Sequence, residues 1–229
     1  KKVVGCGIST FLMEVASGFV IFIFNIQIIK YIGDIGIVVY GIISNCIIVG
    51  MALFNGVAQA SQPIIATNYG AKEKCRVKKV FEYAMKTTIL LGFLLFSIVF
   101  IFTKEVICIF VKADYRIINM GVPAVRMYLS AFCIMNINVL FANYFQSTER
   151  EKISIIISIT RGFLLNVILV LSLPTILGGL SLWVIVPLTE IISLLGIILY
   201  IKKYYYKSNE NIKCNNFELT NEIEYKNIQ

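Results

Sequence analysis

Six long apolar runs alternate with short polar connections. The runs cover residues 8–32, 36–63, 81–103, 117–146, 153–173 and 180–201. A helix needs about 20 apolar residues to cross the hydrocarbon core. No water is available there, so each crossing segment must satisfy its own backbone hydrogen bonds, and a helix does so. The pattern therefore predicts an all-α integral membrane protein, a bundle of six transmembrane helices over residues 1–203. A polar cytoplasmic tail, residues 204–229, is expected to follow.

The connections carry the topology. Residues 31–36 form a tight turn with two glycines, and 174–179 form an uncharged one. Lys1, Lys2, Lys72, Lys74, Arg76, Lys78, Lys79, Arg150, Lys152, Lys202, Lys203 and Lys207 fall on one side of the predicted bundle. Lys30, Lys104, Lys112 and Arg116 fall on the other, so the cationic bias is twelve to four. Short cationic loops stay in the cytoplasm, which predicts cytoplasmic termini at both ends of a multi-pass protein of the cell membrane. Tyr204, Tyr205 and Tyr206 sit where an interfacial aromatic belt belongs. Arg126 and Lys86, close to span ends, are expected to snorkel.

Composition changes this picture little and excludes much. Only 15% of the residues are charged, against about 25% in soluble domains. The net charge of +8 is accounted for by the loops, and no basic–aromatic strand or arginine-rich arm suggests nucleic acid. The six cysteines form no CxxC pair and the chain has no His, so zinc sites and His-based triads find no ligands or base. No GxxxxGK[ST] loop is present, which argues against ATP-driven transport by this chain. The reading is a non-enzyme without cofactors.

Ionised groups within the spans need a reason, because each costs about 2.5–3.5 kcal/mol on insertion scales. Glu14 lies about 9 Å along the first span at the helical rise. Gly7, Thr10, Ser17, Gly18 and Asn25 share its face. Either this carboxylate binds a proton, sodium ion or cationic substrate, or it is a buried structural glutamate. Glu190 stands in the last span, three residues after Pro187, and Arg161 in the fifth span is its candidate partner. A structural Arg161–Glu190 ion pair is the favoured reading for these two, with Glu190 as an ion ligand the other. Asn55, Gln59 and Gln62 in the second span and Asn136 and Asn143 in the fourth either glue helices together or line an aqueous cavity.

One stretch resembles a known family. Asn55-Gly-Val-Ala-Gln59-Ala-Ser-Gln62-Pro63-Ile-Ile-Ala-Thr-Asn68-Tyr69-Gly70-Ala71-Lys72 is similar to a second-helix signature of multidrug and toxic compound extrusion (MATE) transporters. The similarity is to their C-terminal half, in the MepA-like branch. Gly7-Ile-Ser-Thr-Phe-Leu-Met-Glu14, Asn143-Tyr-Phe-Gln146 and Pro187-Leu-Thr-Glu190 resemble other segments of that half, in order. The resemblance implies one lobe of a twelve-helix transporter of bacterial origin, with a missing N-terminal six-helix lobe as partner. It implies export of small cationic or amphipathic compounds in exchange for protons or sodium, and membrane lipid around it. It makes Glu14 the match to a functional carboxylate in the lobe's first helix. The aspartate that some members carry in the fourth helix has no counterpart in 117–146. Two other readings stay open: a flippase for lipid-linked oligosaccharides of related fold, and a half-transporter fragment without transport activity.

Overall fold

The computed structural model describes the backbone of residues 2–111 and 114–205, and the side chains of 15–111 and 114–203. All regular structure among these residues is helical. Helix α1 (Lys2–Tyr31) turns through Gly33 into α2 (Asp34–Gly70), then α3 (Lys74–Ile101) and the short α4 (Thr103–Phe110). Helices α5 (Tyr115–Leu129) and α6 (Phe132–Ser147) share one span, interrupted at Ser130 and Ala131. Helices α7 (Glu151–Ile159) and α8 (Leu165–Leu177) share the next, joined by a π-helical turn, Thr160–Leu164. A 3₁₀ turn, Gly179–Trp183, leads into α9 (Ile185–Tyr205). Gly33 has φ +89°, a conformation that side chains other than hydrogen tolerate poorly, and it sets the α1–α2 reversal.

Helix α6 is the axis of the bundle, packed against α2, α3, α7 and α9. Phe24, Tyr40, Phe54, Tyr128, Phe132 and Trp183 fill the interior. Outside, large apolar side chains face outward along whole spans: Ile48, Leu90, Phe93 and Leu199 are each more than 60% exposed. Water would penalise a surface of that extent, whereas lipid accepts it. Five helical spans are long and apolar enough to cross a membrane, and the described part of α1, residues 15–31, is a shorter apolar helix. The protein is a multi-pass membrane protein.

Four details depart from the pattern read off the chain. Pro63 does not end its helix, which runs on to Gly70, with Thr67 Oγ1 donating to the Pro63 carbonyl at 2.8 Å. The missing Pro63 N–H costs the Gln59 carbonyl its helical partner, and the helix continues because the residues beyond the gap satisfy their own backbone groups. The polar segment 74–79 is the first part of α3 rather than a loop, since lysine and arginine are good helix formers. The connection expected over 104–116 contains the short helix α4. Arg126 does not simply snorkel: its Nε donates to Thr103 Oγ1 at 3.1 Å and its guanidinium lies 4.6 Å over the Phe100 ring.

Candidate functional site

A buried polar chain runs through the middle of this apolar bundle. It starts on α9, where Glu190 is only 3% exposed. Pro187, at the third position of that helix, costs nothing because the first helical N–H groups have no intrahelical partner. The opposite charge comes from the π-helical turn. That turn carries an extra residue, which projects Arg161 toward α9 and frees its carbonyl. Asn166 Nδ2 donates to the Arg161 carbonyl at 2.8 Å.

Arg161 approaches the carboxylate with one nitrogen only. Its Nη1 lies 3.5 Å from Glu190 Oε1 and 3.4 Å from Oε2, and 3.4 Å from the Met135 carbonyl. Charge-assisted bonds normally close to about 2.7–2.9 Å, so this pair is loose. The close contact belongs to Asn138 on α6. Its Nδ2 donates to Glu190 Oε2 at 2.6 Å and to the Glu190 main-chain carbonyl at 2.9 Å. Asn138 is fully buried, and its Oδ1 has no hydrogen-bond partner among the described residues. Tyr128 of α5, itself buried, lies within electrostatic range of Glu190. The Tyr128 ring sits 6.3 Å from that of Tyr40 on α2, edge to face. Four spans thus meet around one carboxylate: the α5–α6 span, the α7–α8 span, α9 and, through Tyr40, α2.

The other residues singled out in the sequence have separate places. Glu14 lies outside the described side chains, as do Lys112, Cys6 and the tail from 204 onward. Asn25 Nδ2 donates to the Ile21 carbonyl of its own helix at 2.9 Å, and Asn143 Nδ2 does the same to Val139 at 2.9 Å. Asn55 and Gln62 are partly exposed and Gln59 is exposed, along one side of α2. Asn136 is 1% exposed, and its Nδ2 donates to the Thr88 carbonyl at 2.6 Å, joining α6 to α3. The structure therefore brings Arg161 and Glu190 together and leaves the amides dispersed over three helices.

Asn138, Tyr128 and Tyr40 were missed in the sequence. A signal for Asn138 exists in helical spacing. Met135, Asn138 and Ala142 share one face of α6. Arg161 reaches the first carbonyl, Glu190 meets the second residue, and Ser154 Oγ donates to the third carbonyl at 2.8 Å. Nothing in the spacing of two tyrosines 88 positions apart predicts their meeting, since only the packing of α2 on α5 brings it about.

Comparison with known proteins gives a consistent placement. Residues 9–171 match the family model described as MatE. The fold is similar to an inward-facing conformation of a multidrug resistance MATE family transporter of the MOP superfamily, with TM-score 0.76 and 18% identity over 85% of this chain. It is similar to an outward-facing conformation of such a transporter, with TM-score 0.74 and 18% identity over 85% of the chain. A MOP superfamily transporter from Pyrococcus furiosus, described as having a binding pocket of reverse polarity, matches with TM-score 0.71 and 18% identity over 86% of the chain. The chain spans only 44–45% of the length of these three proteins. No curated protein matches it.

Proposed function

The chain belongs to the MatE family, and from that premise we propose that it is one lobe of a secondary active transporter. The lobe is the C-terminal six-helix half of a MATE-type antiporter of the MepA-like branch. Its substrates are cationic or amphipathic compounds, exported across the bacterial cell membrane in exchange for protons or sodium. One observation carries this reading: the family match extends over residues 9–171 of a bundle whose interior holds a buried carboxylate among polar side chains. A purely structural bundle has no need to carry such groups into hydrocarbon, and they mark ion or substrate pathways by default.

Alternating access follows from that placement. Ion and substrate occupy the cavity between two lobes in turn. Moving one charge through 100 mV is worth about 2.3 kcal/mol, enough for more than tenfold accumulation per ion. Glu14 and Glu190 are the carboxylates of the coupling step, and Asn25, Asn55, Gln59, Gln62 and Asn143, which keep some exposure, are the amides available to line the cavity, while the buried Asn136 holds α6 to α3. The partner is the N-terminal six-helix lobe.

The test uses the full-length protein in proteoliposomes loaded with a fluorescent organic cation. An imposed proton or sodium gradient is expected to drive its movement, and Glu14→Gln to abolish the ion dependence. Efflux indifferent to both gradients rules out antiport. Wild-type coupling in the Glu14→Gln protein removes that residue from the mechanism.

A further inference from the structure

Two carboxamide oxygens of the buried chain, Asn138 Oδ1 and Asn166 Oδ1, have no hydrogen-bond partner among the described residues, and Asn138 Oδ1 is the one whose own amide meets Glu190. It belongs to a fully buried carboxamide that has already spent its N–H groups on Glu190. Both neighbours of Nδ2, the Glu190 carboxylate and main-chain carbonyl, are acceptors, which fixes the nitrogen toward them. The oxygen then needs a donor, and a carboxylate has none to give. A carboxylic acid does. Acid and amide are complementary: the amide N–H donates to one carboxyl oxygen while the acid O–H donates to the amide oxygen.

We propose that Glu190 and Asn138 form a proton-binding site inside this lobe, with Arg161 as the counter-cation that a proton replaces. In the state seen here the carboxylate is held by Asn138 and, loosely, by Arg161 Nη1 at 3.4–3.5 Å. A proton taken from water settles on a carboxyl oxygen, and the carboxyl turns so that its O–H donates to Asn138 Oδ1. The orphan oxygen is then satisfied and Glu190 is neutral. Arg161 loses its ionic partner and keeps only the Met135 carbonyl, so the link between α9 and the π-helical turn is released. The groups facing Glu190 are few. They are Arg161 from the π-helical turn, Asn138 from α6 and Tyr128 from α5, while α8 and the Gly179–Trp183 turn contribute no charged residue. Among the described residues the proton and Arg161 thus compete for one carboxylate with no third charge beside it. This assignment rests on the antiport reading and specifies its coupling ion as a proton at this position.

The experiment is infrared difference spectroscopy of the full-length protein in lipid nanodiscs, between neutral and mildly acidic buffer. Wild type is expected to gain a protonated-carboxyl C=O band that Glu190→Gln lacks. That variant should fold, because its amide can donate to Oδ1 as the acid does. In Asn138→Leu the band should shift in frequency toward that of a free carboxyl. Superimposable wild-type and Glu190→Gln difference spectra overturn the proposal, as does a band that ignores Asn138→Leu. Should Asn138→Leu fail to fold, the wild-type band decides, since a frequency typical of a carboxyl without a hydrogen-bonded O–H overturns the pairing. The readout needs no transport. Ion-driven efflux without Glu190 protonation sinks only this site, and Glu190 protonation without ion-driven efflux sinks only the antiport reading.

Discussion

Gly92 gives the sharpest test of how the bundle is held together. A Cβ built there collides with Asn136 Nδ2 and falls 2.6 Å from the Phe132 carbonyl oxygen. The first neighbour is a side chain pinned by its 2.6 Å bond to the Thr88 carbonyl, and the second is backbone. Neither yields cheaply, so Gly92→Ala must break the Asn136 bond or push α3 away from α6. Overpacking of this kind costs about 1–3 kcal/mol. Stranding the buried carboxamide costs about 1–3 kcal/mol more. Alanine returns about 1 kcal/mol through its better helix propensity. The net expectation is a loss of about 3 kcal/mol, or roughly 6–12 °C in Tm for a chain of this size. Thermal unfolding of the purified protein in detergent measures it. The double variant Gly92→Ala/Asn136→Ala frees the space and removes the stranded group, so it should be more stable than Gly92→Ala alone. A Gly92→Ala protein as stable as wild type, or a double variant with purely additive losses, would refute the packing argument.

Three further predictions concern charge and backbone. Arg161→Met leaves Glu190 buried without its cation and is expected to lower stability by about 3–5 kcal/mol at neutral pH. Adding Glu190→Gln to it should recover most of that loss, as read by the same thermal assay. Lys72 holds φ +61° at the end of α2, a conformation that costs an L-residue about 1 kcal/mol. Lys72→Gly should therefore raise Tm by about 1–3 °C, and an unchanged or lower Tm would mean that the relieved strain does not exceed the unfolded-state entropy that glycine adds. Lys78 lies 62% exposed on α3, within the cationic cluster assigned to the cytoplasm. A cysteine replacing it should react with a membrane-impermeant maleimide in inverted vesicles and not in intact cells, and labelling in intact cells reverses the topology.

The gross architecture was written in the chain because the membrane reads hydrophobicity over about 20 residues at a time, a local property. The six runs correspond to six helical segments, and the glycines at 33 and 178 mark reversals that their positive φ requires. The pairing of Arg161 with Glu190 was also legible, since two opposite charges buried in hydrocarbon have few other solutions. Finer events were not. Whether Pro63 stops a helix, where the fourth span breaks and why the fifth takes a π-helical turn depend on which neighbours can absorb freed backbone groups. Asn166 does so for Arg161, from five residues away.

The central site belongs to the tertiary structure for the same reason. Asn138 and Asn136 stand two positions apart in one apolar run, with nothing local to separate them. Helix periodicity turns them onto different faces, one toward Glu190 on α9 and the other toward Thr88 on α3. Sequence determined that polar groups had to enter the bilayer. Packing decided which of them found a full set of partners and which, like Asn138 Oδ1, was left wanting one.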